Sequence, residues 1–134
     1  MTGAFGGGGR ELCPCGTGRA YDACCGALHR GERPAATAEE LMRSRYAAYA
    51  RGDTAYLLAT WHPSTQPASV DLDPAITWQR LEVLGAEDGQ AGDDVGYVEF
   101  RAYFRHGSGS GKLRERSRFA CRSGRWLYVD GDLT

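Results

Sequence analysis

Residues 13–26 read CPCGTGRAYDACCG, and this short segment holds four of the five cysteines in the chain. The spacing is C-x-C, eight residues, then C-C, and the cysteines are Cys13, Cys15, Cys24 and Cys25. Clustered thiols in a reducing compartment are typical metal ligands, and four thiolates satisfy the tetrahedral preference of a structural Zn²⁺ site. The segment therefore predicts a zinc centre with these four ligands and Zn²⁺ as the cofactor.

The cysteine pattern leaves some alternatives open. Thiolate ligands exclude Mg²⁺ and Ca²⁺ but also suit iron and Cu(I). A metal-free cysteine loop, reduced or disulfide-linked, and a redox role for the adjacent Cys24 and Cys25 are the other interpretations. The odd cysteine count and the lack of a secretory signal argue against a disulfide framework. Cys121, which alternates with Phe119, is interpreted as a small buried apolar residue.

Composition excludes several classes of protein. The 134-residue chain has a net charge of −1, which argues against binding nucleic acid through bulk charge. Its sequence contains no apolar run near the roughly 20 residues that span a bilayer, and its first residues do not read as a signal peptide. We therefore expect a cytoplasmic protein that does not interact with membranes.

The chain divides into three predicted parts: a disordered leader over residues 1–9, a zinc knuckle over residues 10–30 and an α+β domain over residues 31–134. The knuckle lacks a hydrophobic period long enough to build a core, so it needs the metal for stability. The Gly31–Pro34 stretch reads as a linker.

The α+β domain begins with helices and continues as strands. Thr37 and Glu40 form a capping-box pattern that starts a helix, and Gly52 ends it. A second short helix follows from Asp53 to Trp61. Turn-rich breaks then separate four predicted strands, at about residues 76–86, 94–106, 113–122 and 125–130. This order predicts two or three helices packed against a curved four-stranded antiparallel sheet.

Two resemblances extend these predictions. Residues 13–26 resemble the SEC-C motif, a C-x-C-x₈-C-[CH] zinc knuckle that also occurs at the C-terminus of the SecA translocation ATPase. Other stretches resemble the uncharacterised bacterial YchJ-like family: Glu40–Tyr46, Thr60–Pro63, Glu115–Phe119 and Gly124–Gly131. This resemblance implies an N-terminal SEC-C knuckle followed by an NTF2-like domain (YchJ middle-type), a cone formed by a curved sheet and helices. Relatives have a further helix between Pro63 and Trp78, where this chain is shorter.

Strand alternation places Glu115 and Ser117 on the face of their strand that points to the core. In one interpretation they line a small-molecule pocket with Trp61 and His62, and a His62–Glu115 pair performs acid–base chemistry. In the other, which the sequence favours, a buried arginine such as Arg45 neutralises Glu115 and His62 caps a helix end.

The opposite face of the same strand carries Lys112, Arg114, Arg116 and Arg118 in alternation. Pairing with acidic neighbours is the favoured interpretation, and single-stranded nucleic-acid binding is the alternative. Taken together, the sequence predicts a non-enzymatic adaptor whose knuckle recognises a macromolecular partner, either a protein or a ribosome-associated component. A small-molecule binder or enzyme using the His62/Glu115 pocket is the alternative function.

Overall fold

The structure is a computed structural model that describes residues 11–134. The predicted leader over residues 1–9 lies outside this range. After a 3-10 turn at Tyr21–Ala23, the helices are α1 (Cys25–His29), α2 (Ala38–Arg51) and α3 (Thr54–Ala59). The strands are β1 (Ile76–Asp88), β2 (Val95–His106), β3 (Gly109–Arg122) and β4 (Arg125–Leu133).

Local sequence signals set both ends of α2. The Thr37 hydroxyl accepts a hydrogen bond from the Glu40 N–H at 3.1 Å, as the capping pattern predicts. The Glu40 carboxylate accepts from the Ala36 N–H at 2.7 Å and also holds Arg33. Gly52 ends the helix with a φ of 77°, in the left-handed region that glycine adopts without steric cost.

The helix α3 is shorter than predicted, because residues 60–62 leave it to join the sheet. Asp53 caps its start by accepting from the Tyr56 N–H. At the other end, Tyr128 of β4 donates its N–H to Thr60 O and accepts from the His62 N–H, both at 2.8 Å. These bonds create a bridge between Trp61 and Tyr128, so Trp61 extends along β4 instead of continuing the helix.

The four strands form one antiparallel sheet in the order β1-β2-β3-β4, which confirms the predicted meander. Register shifts interrupt β1 at Trp78/Arg80 and Val83/Gly85, and the β3–β4 pairing at Arg118/Phe119. Such bulges bend a strand and increase its twist, which accounts for the curvature of the sheet.

The core lies between α2 and one face of the sheet. Leu41 and Met42 of α2 pack with alternate residues of β2, including Val98 and Phe100, and with Phe119 of β3. Within residues 11–134, no helix is long and apolar enough to cross a membrane.

The cysteine-bearing segment is attached to this core more closely than its sequence suggests. Leu28 of α1 is only 4% exposed and belongs to the same hydrophobic cluster as α2 and the sheet. The predicted linker is itself bonded in place, since the Glu32 N–H donates to Ala27 O and Arg33 pairs with Glu40. The knuckle is therefore packed against the α+β body.

Candidate functional site

The four clustered cysteines converge on one point. Their sulfurs all lie within 4.8 Å of one another, and all four residues are buried. Each cysteine is free rather than disulfide-bonded. The structure thus brings together the complete set of ligands that the sequence predicts.

Two short backbone elements hold the sulfurs. Cys13 and Cys15 lie on a hairpin that is closed by the bridge between Leu12 and Ala20 and by the hydrogen bond from the Cys13 N–H to Arg19 O. The hairpin turns through Gly16 and Gly18, both with positive φ. Cys24 and Cys25 lie where the 3-10 turn meets α1.

The spacing of the sulfurs fits a tetrahedral metal ion. A Zn–S bond of about 2.3 Å implies a sulfur–sulfur edge of about 3.8 Å in a tetrahedron. Cys15 Sγ and Cys24 Sγ lie 3.7 Å apart, close to this edge. Hydrogen bonds from Cys13 and Cys25 lower the pKa of Cys15, whereas bonds to Cys13 and Cys15 raise the pKa of Cys25. Within the cluster, Cys15 is therefore the cysteine that most readily gives the thiolate, the form that binds metal.

Polar groups around the cluster fix its orientation. The Thr17 hydroxyl oxygen accepts from the Arg19 N–H and lies 3.3 Å from Cys24 Sγ, so its own hydrogen can point at that sulfur. From α2, Arg43 donates to Cys15 O at 2.8 Å, and Ala47 packs against the cysteines. Such outer contacts orient ligands around a metal.

A hydrogen-bond chain through His29 connects the knuckle to α2. His29 Nε2 lies 2.8 Å from Ser44 O, and because a carbonyl only accepts, Nε2 carries the hydrogen. His29 Nδ1 then accepts from the Tyr21 hydroxyl at 2.6 Å. Burial lowers the pKa of His29, so the neutral ring is the favoured form.

A cavity of about 240 Å³ lies in the body, between α2 and the inner face of the sheet. Its walls are mostly apolar and aromatic, and two charged side chains, Arg45 and Glu115, face it. Glu115 accepts a hydrogen bond from Ser117 at 2.6 Å and a longer one from the Tyr128 hydroxyl at 3.4 Å. The inward orientation predicted for Glu115 and Ser117 is thus what the structure shows.

The other two residues of the predicted pocket lie elsewhere. Trp61 and His62 are not among the residues that line the cavity. Both residues belong to the segment that is bridged to β4. His62 Nδ1 accepts a hydrogen bond from the Ser64 N–H at 3.0 Å and lies 2.7 Å from the Ser64 hydroxyl oxygen. The structure therefore does not bring His62 and Glu115 together as an acid–base pair.

Arg45 is also placed differently from the prediction. It is only 5% exposed, but across residues 11–134 no carboxylate lies within 4.0 Å of it, so the predicted pair with Glu115 does not form. Its Nη1 donates to Leu57 O and Thr60 Oγ1 instead. The spacing of Met42, Arg45 and Tyr49 along α2 was the signal that Arg45 shares the inward face of this helix.

Three of the four basic side chains on the outer face of β3 are paired with acidic side chains, and Lys112 has no such partner among the described residues. Arg114 binds Glu99, Arg116 binds Glu87 and Arg118 binds Asp130, at 2.8, 2.6 and 2.9 Å. Arg116 also stacks on Tyr97. This is the arrangement expected of a solvated face with cross-strand ion pairs.

Comparison with known proteins gives the same two parts. Residues 10–27 match the SEC-C motif, and residues 37–131 match the family described as "YchJ, middle NTF2-like domain". A UPF0225 protein of Streptomyces coelicolor is 52% identical over 120 residues, which cover 90% of this chain and 94% of that protein.

Two solved structures are also similar. One is the solution structure of a SEC-C motif containing protein from Rhodopseudomonas palustris, with a TM-score of 0.81 and 40% identity, covering 91% of this chain and 98% of that one. The other is the crystal structure of a SEC-C motif containing protein from Psychrobacter arcticus, with a TM-score of 0.77 and 26% identity, covering 95% and 85%. The chain therefore belongs to the YchJ-like family of proteins, in which a SEC-C motif precedes an NTF2-like domain.

Proposed function

We propose that this protein binds one Zn²⁺ through Cys13, Cys15, Cys24 and Cys25 and acts as a non-enzymatic adaptor. In this proposal the zinc knuckle recognises a macromolecular partner, a protein or a ribosome-associated component, in the cytoplasm. The observation that carries the proposal is the convergence of four buried sulfurs within 4.8 Å.

The donor set supports zinc over the other metals that thiolates bind. Four thiolates in a tetrahedron are the usual donor set of structural Zn²⁺, which has no redox chemistry. Cu(I) and iron sites also use thiolates, so the metal analysis below includes them.

A four-sulfur site also supports a structural role for the metal. Catalytic zinc keeps one position open for water or substrate, whereas four protein ligands fill all tetrahedral positions. Residues 10–27 match the SEC-C motif, which serves as a recognition module in the SecA ATPase. This match supports an adaptor role by analogy.

The knuckle presents an exposed surface beside the metal site. Leu12 is 64% exposed although it is apolar, and residues 16–19 of the adjoining turn are exposed. In this proposal Leu12 and the exposed turn beside it form the contact surface for the partner.

The first experiment measures metal. Elemental analysis of protein purified under reducing conditions should give one zinc per chain, and much less in the Cys24→Ser/Cys25→Ser double variant. Cys121→Ser is the matched control, because Cys121 lies outside the cluster, and it should keep its zinc. Wild-type protein without metal, or with iron or copper in its place, would contradict the zinc assignment.

The second experiment tests recognition separately. Affinity capture from cell extract should recover the same partner with wild-type protein and with Leu133→Ser, and should lose it with Leu12→Ser. The two leucines are both exposed, at 64% and 71%, but Leu133 lies at the end of β4. If the two substitutions have equal effects, the knuckle surface is not the recognition site.

A further inference from the structure

Arg45 is a buried charge with unused hydrogen-bonding capacity. A guanidinium has five N–H donors, and the two on Nη1 are taken by Leu57 O and Thr60 Oγ1. Among the described residues, Nε and Nη2 have no hydrogen-bond acceptor. A buried charge without a paired carboxylate is costly, and burial lowers the pKa of Arg45 although the charge of Glu115 opposes part of this shift.

The surroundings of Arg45 leave one direction open. The Trp61 ring lies 4.8 Å from the guanidinium carbon and the Tyr128 ring 4.6 Å from it, so both aromatic neighbours contact it as cation–π partners. Because Nη1 is bonded and the two rings pack against the guanidinium, the Nε–Nη2 edge is the part of the group that remains free to bind a ligand. This edge can bind a carboxylate through two parallel hydrogen bonds.

The Trp61 indole, which contacts Arg45, carries a further donor that is unpaired within the described part of the chain. Trp61 Nε1 is buried and has no hydrogen-bond partner among residues 11–134. Trp61 does not line the cavity, so we assign it no ligand contact.

Arg45 lines the cavity, and the cavity has the features of a small-molecule site. At about 240 Å³ it falls just below the usual range of ligand pockets, about 300–1,000 Å³, so its ligand must be small. Tyr49, Trp78 and Leu113 are lining residues that are only half-buried, which provides access from solvent. Phe100 and Phe119 form part of the deeper, apolar wall.

Glu115 supplies a second polar contact point of opposite charge. Its Oε2 atom holds Ser117 and Tyr128, whereas Oε1 has no hydrogen-bond donor among the described residues. Gly131 of β4 lies directly against the Glu115 carboxylate, where a larger residue would displace it. One site therefore contains a free donor edge and a free acceptor atom within an apolar enclosure.

We propose that this cavity binds a small monocarboxylic acid with a flat apolar body, whose carboxylate pairs with the Nε–Nη2 edge of Arg45 and whose other end donates a hydrogen bond to Glu115. The ligand carboxylate neutralises the buried guanidinium, and the aromatic walls pack against the apolar body. This site is separate from the zinc-dependent recognition proposed above.

The test uses 4-hydroxyphenylacetate as the probe, with 4-hydroxyphenylacetamide as its uncharged counterpart. Binding is followed in the full-length zinc-bound protein by the NMR signal of the Trp78 indole N–H, assigned by its loss in Trp78→Phe. The acid should shift this signal in a saturable way, and the amide should bind roughly 10- to 100-fold more weakly, the loss expected for removing a charge-assisted bond pair.

Variants locate the anchoring group. Arg45→Met keeps much of the side-chain volume and should weaken acid binding to the level of the amide. Arg45→Lys keeps the charge without the two-pronged edge and should give an intermediate affinity. Arg101→Met is the matched control, because Arg101 pairs with Glu82 on the outer face, and it should bind like wild type. Retained dispersion of the NMR spectrum shows that each variant is folded.

Three results would overturn the proposal: equal affinity for the acid and the amide, unchanged acid binding by folded Arg45→Met, or no shift of the Trp78 signal at about 10 mM acid. The first and third do not use Arg45→Met, so they decide the question even if that variant fails to fold.

Discussion

The cysteine cluster takes all four ligands from thirteen consecutive residues, whereas the cavity takes its two charged groups from Arg45 on α2 and Glu115 on β3. Both regions rest on α2, since Ala47 packs against the cysteines and Met42 and Tyr49 line the cavity. Their stabilities, however, should have different sources. A local thiolate site depends on its metal, and a cavity formed by distant segments depends on the hydrophobic core that joins them.

Metal removal should give the largest effect and should separate the two regions. Structural zinc contributes about 10–16 kcal/mol in finger-sized peptides, so chelation should unfold much of residues 11–25. Hydrogen exchange followed by mass spectrometry should show rapid exchange there and continued protection in β2 and β3. Loss of protection throughout the chain would mean that the knuckle and the body form one cooperative unit.

A core substitution in the sheet should have the complementary effect. Phe119 is 1% exposed, so Phe119→Ala should lower the free energy of unfolding by about 3–5 kcal/mol in a urea titration. The zinc content should stay at that of the wild type because the cysteine cluster is untouched. Leu133→Ala, at a 71% exposed position, is the control and should change stability by less than about 0.5 kcal/mol. Loss of zinc from folded Phe119→Ala would show that the cysteine cluster and the sheet do not have separate sources of stability.

A substitution at Leu28 tests how the cysteine-bearing segment packs against the body. It lies three residues after Cys25 but packs into the core of the body, so Leu28→Ala should destabilise the body by about 2–5 kcal/mol. Zinc should remain bound to the folded protein. Leu12→Ala, which changes an exposed leucine of the same knuckle, should have little effect on the same urea titration. Equal effects of the two substitutions would show that the knuckle adds nothing to the core.

The smallest effect should come from protonation of His29. Burial lowers the pKa of His29 in the folded protein below its ordinary value of about 6.5 in the unfolded chain. As the pH falls through about 6.5, the unfolded chain gains a proton that the folded protein resists, so stability decreases until the folded pKa is reached.

His29→Gln offers a matched variant for this titration. Its amide can donate to Ser44 O and accept from the Tyr21 hydroxyl, but it does not gain a charge. Between pH 5 and 8, the midpoint temperature of thermal unfolding should therefore fall less steeply toward low pH in His29→Gln than in wild type. Parallel curves would assign the whole pH dependence to other groups, including the thiolates.

The fold was largely predictable because its signals are local. The capping residue Thr37 and the stop at Gly52 delimit α2, and turn-rich segments separate the four strands. The end of α3 was not predictable, since the bridge between Trp61 and Tyr128 joins residues far apart in sequence. The burial of Leu28 was missed for the same reason, because the pattern of a five-residue helix does not show which neighbour covers it.

The sequence by itself determined the four-cysteine cluster, the order of the elements and the inward orientation of Glu115 and Ser117. Each of these depends on spacing along one segment, and backbone geometry converts such spacing directly into direction. Only the tertiary structure decided that His62 lies outside the cavity and that Arg45 faces it without a carboxylate partner. Those facts depend on how α3 and β4 pack together and on distances between side chains that the sequence does not contain.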